Sequence, residues 1–206
     1  MQNASLSPAQ QALAEKAAAY ADEVRRLLDA GLAIMRELGT TARPRVADIA
    51  RAAGLSNDAF YRHFASKDAL ITALLEEGAV RLRDYLEHQM AKANTPEAQV
   101  RTWVRGVMGQ ADDEIATTTL AVLWNAGTVG EGLASGPNLG SSRLTPLLHA
   151  PFTALGSGNP QLDAALATHA VLGVLAEHLW QRTRPTKQEL EHLSDFCLSA
   201  VSGGKQ

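Results

Sequence analysis

RVADIARAAGLSNDAFYRHFASKDAL, residues 45–70, is the stretch from which the fold is read. Val46, Ile49, Ala50 and Ala53 recur at i, i+3, i+4 and i+7, the spacing of one face of a short helix, and Gly54 ends it. Ser56 restarts the chain as an N-cap, its hydroxyl placed to accept from a free backbone N–H of a second helix whose buried face carries Ala59, Phe60 and Phe64. Two short helices joined by a glycine-containing turn form a helix-turn-helix. Ser66 caps a third helix with Leu70, Leu74 and Leu75 as its apolar row, and the helical pattern then runs without a breaker through Val80, Leu82 and Leu86 to about Ala93.

Upstream of this stretch, Ser7-Pro8 is a cap followed by a proline at the first helical position. The apolar stripe Val24, Leu27, Leu28, Gly31, Leu32, Met35 and Leu38 ends at Gly39 and fits either one long helix or two. Pro44 disfavours helical geometry at Arg43, so residues 40–44 are a connector. Downstream, Thr95-Pro96 and Asn159-Pro160 open helices at about 96–109 and 160–182, and the acids Asp112 and Asp113 precede another that reaches about Ala126. Residues 127–142, rich in glycine, read as a loop, and 143–155 as a helix made irregular by Pro146 and Pro151. Thr186 and Glu189 form a capping box for the last helix. No strand pattern and no repeat appears, so the expected class is all-α with about nine helices. A first domain over 1–75, with a helical extension at 1–21 and the motif at 45–64, would precede a second over 76–206.

Composition narrows the function. A chain of 206 residues with 46% hydrophobic residues can bury a sizeable core. The absence of a long apolar run and of a signal-peptide layout at the N-terminus leads to the expectation of a soluble, cytoplasmic protein. One cysteine, Cys197, excludes an internal disulfide and a cysteine-rich zinc site, and its place on the last apolar face reads as packing. The net charge of −3 is not that of a general polyanion binder. Charge is nonetheless uneven: residues 39–67 hold five cations against two anions, whereas residues 71–206 hold 10 against 14.

The ordered pattern DIAxxAGLSxxxFYxHFxSKxxL within residues 48–70 resembles the DNA-binding domain of the tetracycline-repressor (TetR) family of transcription regulators, and the resemblance extends over about 27–75. It implies a DNA-facing set of Arg45, Ser56, Asn57, Asp58, Ala59, Tyr61, Arg62, His63 and Lys67. The chemistry of these side chains agrees. With Phe60 and Phe64 inward, Asn57, Asp58, Tyr61, Arg62 and His63 are left on the outer side of a helix suited to a major groove. Asn57 can pair with adenine, Arg62 with guanine, and Asp58 can accept from cytosine. In the family, the positions of Tyr61 and Lys67 hold phosphates, which fix register rather than sequence. Two residues depart from the family pattern: Arg45 stands where a capping threonine is usual, and Asp58 where a small residue or lysine is common.

Beyond residue 75 the resemblance is one of helix count and order. It implies a small-molecule cavity, with Trp103, Met108, Trp124, His149, Phe152 and His169 as candidate lining residues, each of which could equally be ordinary core. The helix at 160–182 is apolar nearly all round and therefore buried on two faces. With the last helix it resembles the family's dimer-forming pair, which nominates Leu172, Leu175, Leu179, Leu193, Phe196 and Val201. No catalytic fingerprint, metal spacing or cofactor motif is present. The expected protein is a homodimeric regulator, a repressor released from a palindromic DNA operator by a small-molecule inducer. The alternative is a ligand- or partner-binding protein of the same fold that does not bind an operator.

Overall fold

The computed structural model describes residues 7–126 and 139–202. Ten α-helical segments follow in order: α1 (Pro8–Leu38), α2 (Val46–Ala52), α3 (Asn57–His63), α4 (Lys67–Met90), α5 (Pro96–Met108), α6 (Asp113–Asn125), α7 (Leu139–Leu144), α8 (His149–Ala154), α9 (Pro160–Gln181) and α10 (Lys187–Ser202). A 3-10 turn, Thr145–Leu148, joins α7 to α8, so the expected irregular helix is two short pieces hinged at its prolines. Counting that stretch as one gives the nine expected helices, and no strand occurs among the described residues.

Helix starts follow local chemistry. Ser7 and Gln10 form a capping box, and the side chains of Ser56, Ser66, Thr95 and Asn159 accept from the backbone N–H three residues on. The Thr186 hydroxyl accepts from the N–H of Glu189, whose carboxylate accepts from Thr186 in return. α1 is one continuous helix, which settles the choice left by the sequence. Its described residues up to Asp22 are exposed, although the Tyr20 side chain reaches α3. The expected loop at 127–142 is shorter at its end: 127–138 lie outside the described residues, and α7 begins at Leu139.

Two apolar cores result. The first joins Leu27 and Met35 of α1, Ile49, Ala50 and Ala53 around α2, Phe60 and Phe64, and Leu70, Ile71 and Leu74 of α4. It also takes Ala121 and Val122 of α6 from the far side of the chain. The second gathers Leu86 and Met90 of α4 with Val100, Trp103, Val104 and Val107 of α5, Leu144, Leu148, Phe152, and the inner faces of α9 and α10. α4 contributes to both cores. At its crossing with α5, Gly106 permits close approach, because a Cβ there would lie 2.3 Å from Cδ2 of Leu86.

Cys197 is fully buried in the second core, and burial pushes its thiol up to about 11. The native protein should therefore leave Cys197 unmodified by a thiol reagent at pH 8, and react fully once unfolded in guanidinium. Mass spectrometry after a timed pulse measures this; rapid labelling of the folded chain would contradict the burial.

Candidate nucleic-acid interface

Seating of α3 begins with the turn before it. Gly54 has φ +68, the left-handed conformation that favours glycine at a helix end. Across the turn, Arg26 of α1 donates from Nη1 to the Ala53 carbonyl at 3.1 Å. Ser56 then starts α3, its Oγ 3.1 Å from the Ala59 nitrogen. Phe60 is completely buried and Phe64 nearly so, their rings 5.8 Å apart. Fixing those two rings inward leaves Asn57, Asp58, Tyr61 and Arg62 exposed on the opposite side. Tyr61 is 57% exposed and rests edge-on against Phe60, a supported ring with its hydroxyl free to reach outward. Ser66 Oγ accepts from the Ala69 nitrogen at 3.1 Å, which places half-buried Lys67 in the first turn of α4, beside its free N–H groups.

Three members of the expected DNA-facing set stand differently. Ala59 is buried at 4% exposure, its methyl part of the packed face. The Ser56 hydroxyl is engaged as the cap. His63 is turned inward: its side chain is 3% exposed, its Nε2 lies 2.6 Å from Glu23 Oε2 on α1, and the Tyr20 ring packs edge-on at 4.4 Å. The outward placement of His63 is thus corrected. A residue at the last position of α3 has rotated past the exposed face and meets α1. Arg45 is exposed and its side chain makes no capping bond, as the chemistry of a guanidinium requires. Asp48 pairs with Arg51 along α2. Arg62 reaches Glu23 at 3.5 Å rather than Asp58.

Glu23 and Tyr20 were not legible as site residues. Their contacts with α3 span 39 to 43 positions of sequence, and an acid on an exposed helix reads as solvated. The hydrogen bond from His63 lowers the Glu23 carboxyl below its ordinary range, opposed by burial and assisted by the charge of Arg62.

The six expected cavity residues stand in different settings. Trp103, Met108 and Phe152 are fully buried in the second core, with the Trp103 indole donating to the Leu144 carbonyl at 3.3 Å. Trp124 lies half-buried beneath the Arg43 guanidinium, 5.5 Å from ring centroid to carbon, where the connector before α2 meets α6. His149 is half-buried at the start of α8, and exposed His169 contacts the Ala165 carbonyl of its own helix. Two open grooves border α10, one lined by Val174, Gln188, His192 and their neighbours, the other by Arg101, Arg105, Lys187 and Leu190; neither includes any of the six. No group of His, Cys, Asp and Glu suited to a metal ion occurs among the described residues.

The expected dimer set divides. Leu175, Leu179 and Leu193 point into the chain's own core, and half-buried Leu172 packs against it, because the inner stripe of α9 also runs through Ala164, Ala167 and Val171. Phe196 is 52% exposed; the side chain of Val201 lies outside the described residues. The outer stripe of α9 is instead Leu162, Leu166 and Trp180, each more than half exposed. α9 is the one described helix long and apolar enough, by length and composition, to cross a membrane, but its inner stripe is built into the core.

Residues 27–74, which hold the whole of α2 and α3 and the start of α4, match the family described as bacterial regulatory proteins, tetR family. The helix-turn-helix segment matches the TetR family model. No curated protein matches the chain in sequence. Among solved structures it is similar to a TetR-family transcriptional regulator of Mesorhizobium loti, with 21% identity and a TM-score of 0.63 over 89% of this chain and 96% of that one. It is similar also to RolR in complex with resorcinol, with 15% identity and a TM-score of 0.64 over 92% and 97% of the two chains. The regulator FadR of Bacillus subtilis, in complex with stearoyl-CoA, aligns with 20% identity and a TM-score of 0.54 over 88% and 99%. The chain therefore has the fold of a TetR-family transcriptional regulator over nearly its whole length, and the family is one of DNA-binding regulators rather than of enzymes.

Proposed function

We propose that this chain is a homodimeric, cytoplasmic transcription regulator, not an enzyme, that represses from a palindromic operator and is released by a small-molecule inducer. The observation that carries the reading is the face of α3. Asn57, Asp58, Tyr61 and Arg62 are exposed together on a helix locked by Phe60 and Phe64, with Lys67 in the first turn of the next helix. Asn57, Asp58 and Arg62 are assigned to bases, and Arg45, Tyr61 and Lys67 to phosphates. The DNA-binding domain is assigned to 1–75 and the ligand and dimer domain to 76–206. α4 supports a link between them, since Leu70, Ile71 and Leu74 belong to one core and Leu86 and Met90 to the other. A ligand that favours one setting of α4 would change the half-site separation that the dimer can span. RolR and FadR are seen with a phenolic compound and an acyl-CoA; for this chain the inducer is assigned only as a small molecule held in the second domain.

Selection of bound duplexes from a random pool tests the reading. A palindrome with half-sites one turn apart is expected. Lys67→Ala should weaken binding about equally on all sequences and reduce the dependence of log affinity on log salt by about one unit. Enrichment of no sequence, together with retained small-molecule binding, would instead favour a ligand-binding protein without an operator.

A further inference from the structure

We infer that Glu23 of α1 is a positioning residue for base recognition, holding Arg62 of α3 in the orientation in which it meets DNA; this rests on the reading of α3 as the DNA-facing helix. One carboxylate oxygen, Oε2, serves both partners: His63 Nε2 at 2.6 Å and Arg62 Nη2 at 3.5 Å. The two halves of this contact differ in character. His63 is 3% exposed and Glu23 28%, so the imidazole bond is sheltered and fixes the carboxylate; Arg62 is 66% exposed, so its end stays at the solvent edge. No other carboxylate bonds Arg62 among the described residues, and Arg26, three residues along α1 from Glu23, is paired with Asp22 at 2.9 Å. The buried His63 Nδ1 has no partner, so the ring is tethered to α1 through Nε2 alone, with Tyr20 packed against it.

Magnitude decides what this arrangement does. An ion pair as exposed as Glu23 and Arg62 contributes little to stability. Its consequence is conformational: an unbound arginine explores many rotamers, and an anchored one reaches a base with less entropy to lose. Arginine presents five N–H donors, so one given to Glu23 leaves others for guanine O6 and N7. The carboxylate also offsets the attraction of Arg62 for any phosphate. Both effects raise selectivity over general DNA affinity.

The experiment uses the full chain with Glu23→Gln, which keeps an acceptor for His63 and removes the charge. Glu23→Asp, which keeps the charge but withdraws it by one methylene, is a second variant should the first fail to fold. Binding is measured to the operator selected by the wild type and to its single-base variants. Each variant should lower discrimination at the base pair read by Arg62 about 3- to 10-fold, with affinity for unrelated DNA unchanged or higher after Glu23→Gln. In an Arg62→Ala background the Glu23 substitution should have no further effect at that base pair. Wild-type discrimination in both variants, an equal loss on every sequence, or the same loss without Arg62 would overturn the role. A wild type that selects no sequence would overturn the reading of α3 itself, a result separable from these.

Discussion

Phe60→Ala should destabilise the helix-turn-helix by about 3–5 kcal/mol and abolish operator binding with it. Phe60 is wholly buried in the core that it shares with Ile49 and Ala50 of α2 and Leu70 and Ile71 of α4, and it is the largest side chain fully buried there. That core is short of alternatives. Its other members are mostly fixed by three short helical segments and one face of α1, so the void left by a ring cannot close without moving α3. A loss of this size is comparable with the whole stability of a small domain. Tyr61, one residue on, provides the control: it is exposed, so Tyr61→Ala should change stability by no more than about 0.5 kcal/mol while still weakening DNA binding. Denaturant titration measures the first quantity and operator titration the second. Equal midpoints for Phe60→Ala and the wild type would mean that α3 is not held as described.

The contrast between Phe60 and His63 also shows which parts of the fold and site were legible in sequence. Caps are local, so Ser56, Ser66, Thr95, Asn159 and Thr186 announced their helices within a few residues. Phe60 and Phe64 follow helical spacing and were legible for the same reason. His63 was not, because its inward turn depends on Glu23 and Tyr20, which only folding of α1 beside α3 brings near. Trp124 failed similarly: its partner Arg43 lies 81 positions away, in a connector with no periodicity to read. On α9 the limit is different. A helix apolar on every side carries no periodic signal for which face turns inward, and the choice of Leu175 and Leu179 as outer residues is reversed by the packing of α5 and α10 against them.

That reversal moves the interface expected for the proposed dimer. With Leu175 and Leu179 inside, Leu162, Leu166 and Trp180 on α9 and Phe196 on α10 are the large apolar side chains left on the outer faces of the last two helices. A patch of this kind beside a two-fold axis is self-complementary, and each residue in it is used twice. Trp180→Asp combined with Phe196→Asp should therefore have the largest effect on assembly. A central aromatic lost from an interface costs about 2–4 kcal/mol, and its two-fold repetition makes even the lower figure about 4 kcal/mol per dimer, near a thousandfold in the dimerisation constant. Light scattering should give twice the 21.9 kDa chain mass for the wild type and the single mass for the variant, whose helicity should remain close to that of the wild type while its melting falls by the stability that dimerisation supplied. Operator affinity should fall along with dimerisation, because one half-site then has to bind without the other. Leu175→Asp provides the opposite outcome: placing a charge in the second core should unfold the chain rather than separate two intact copies. A dimer that survives both outer substitutions would place the interface elsewhere, and with it the spacing of the two recognition helices.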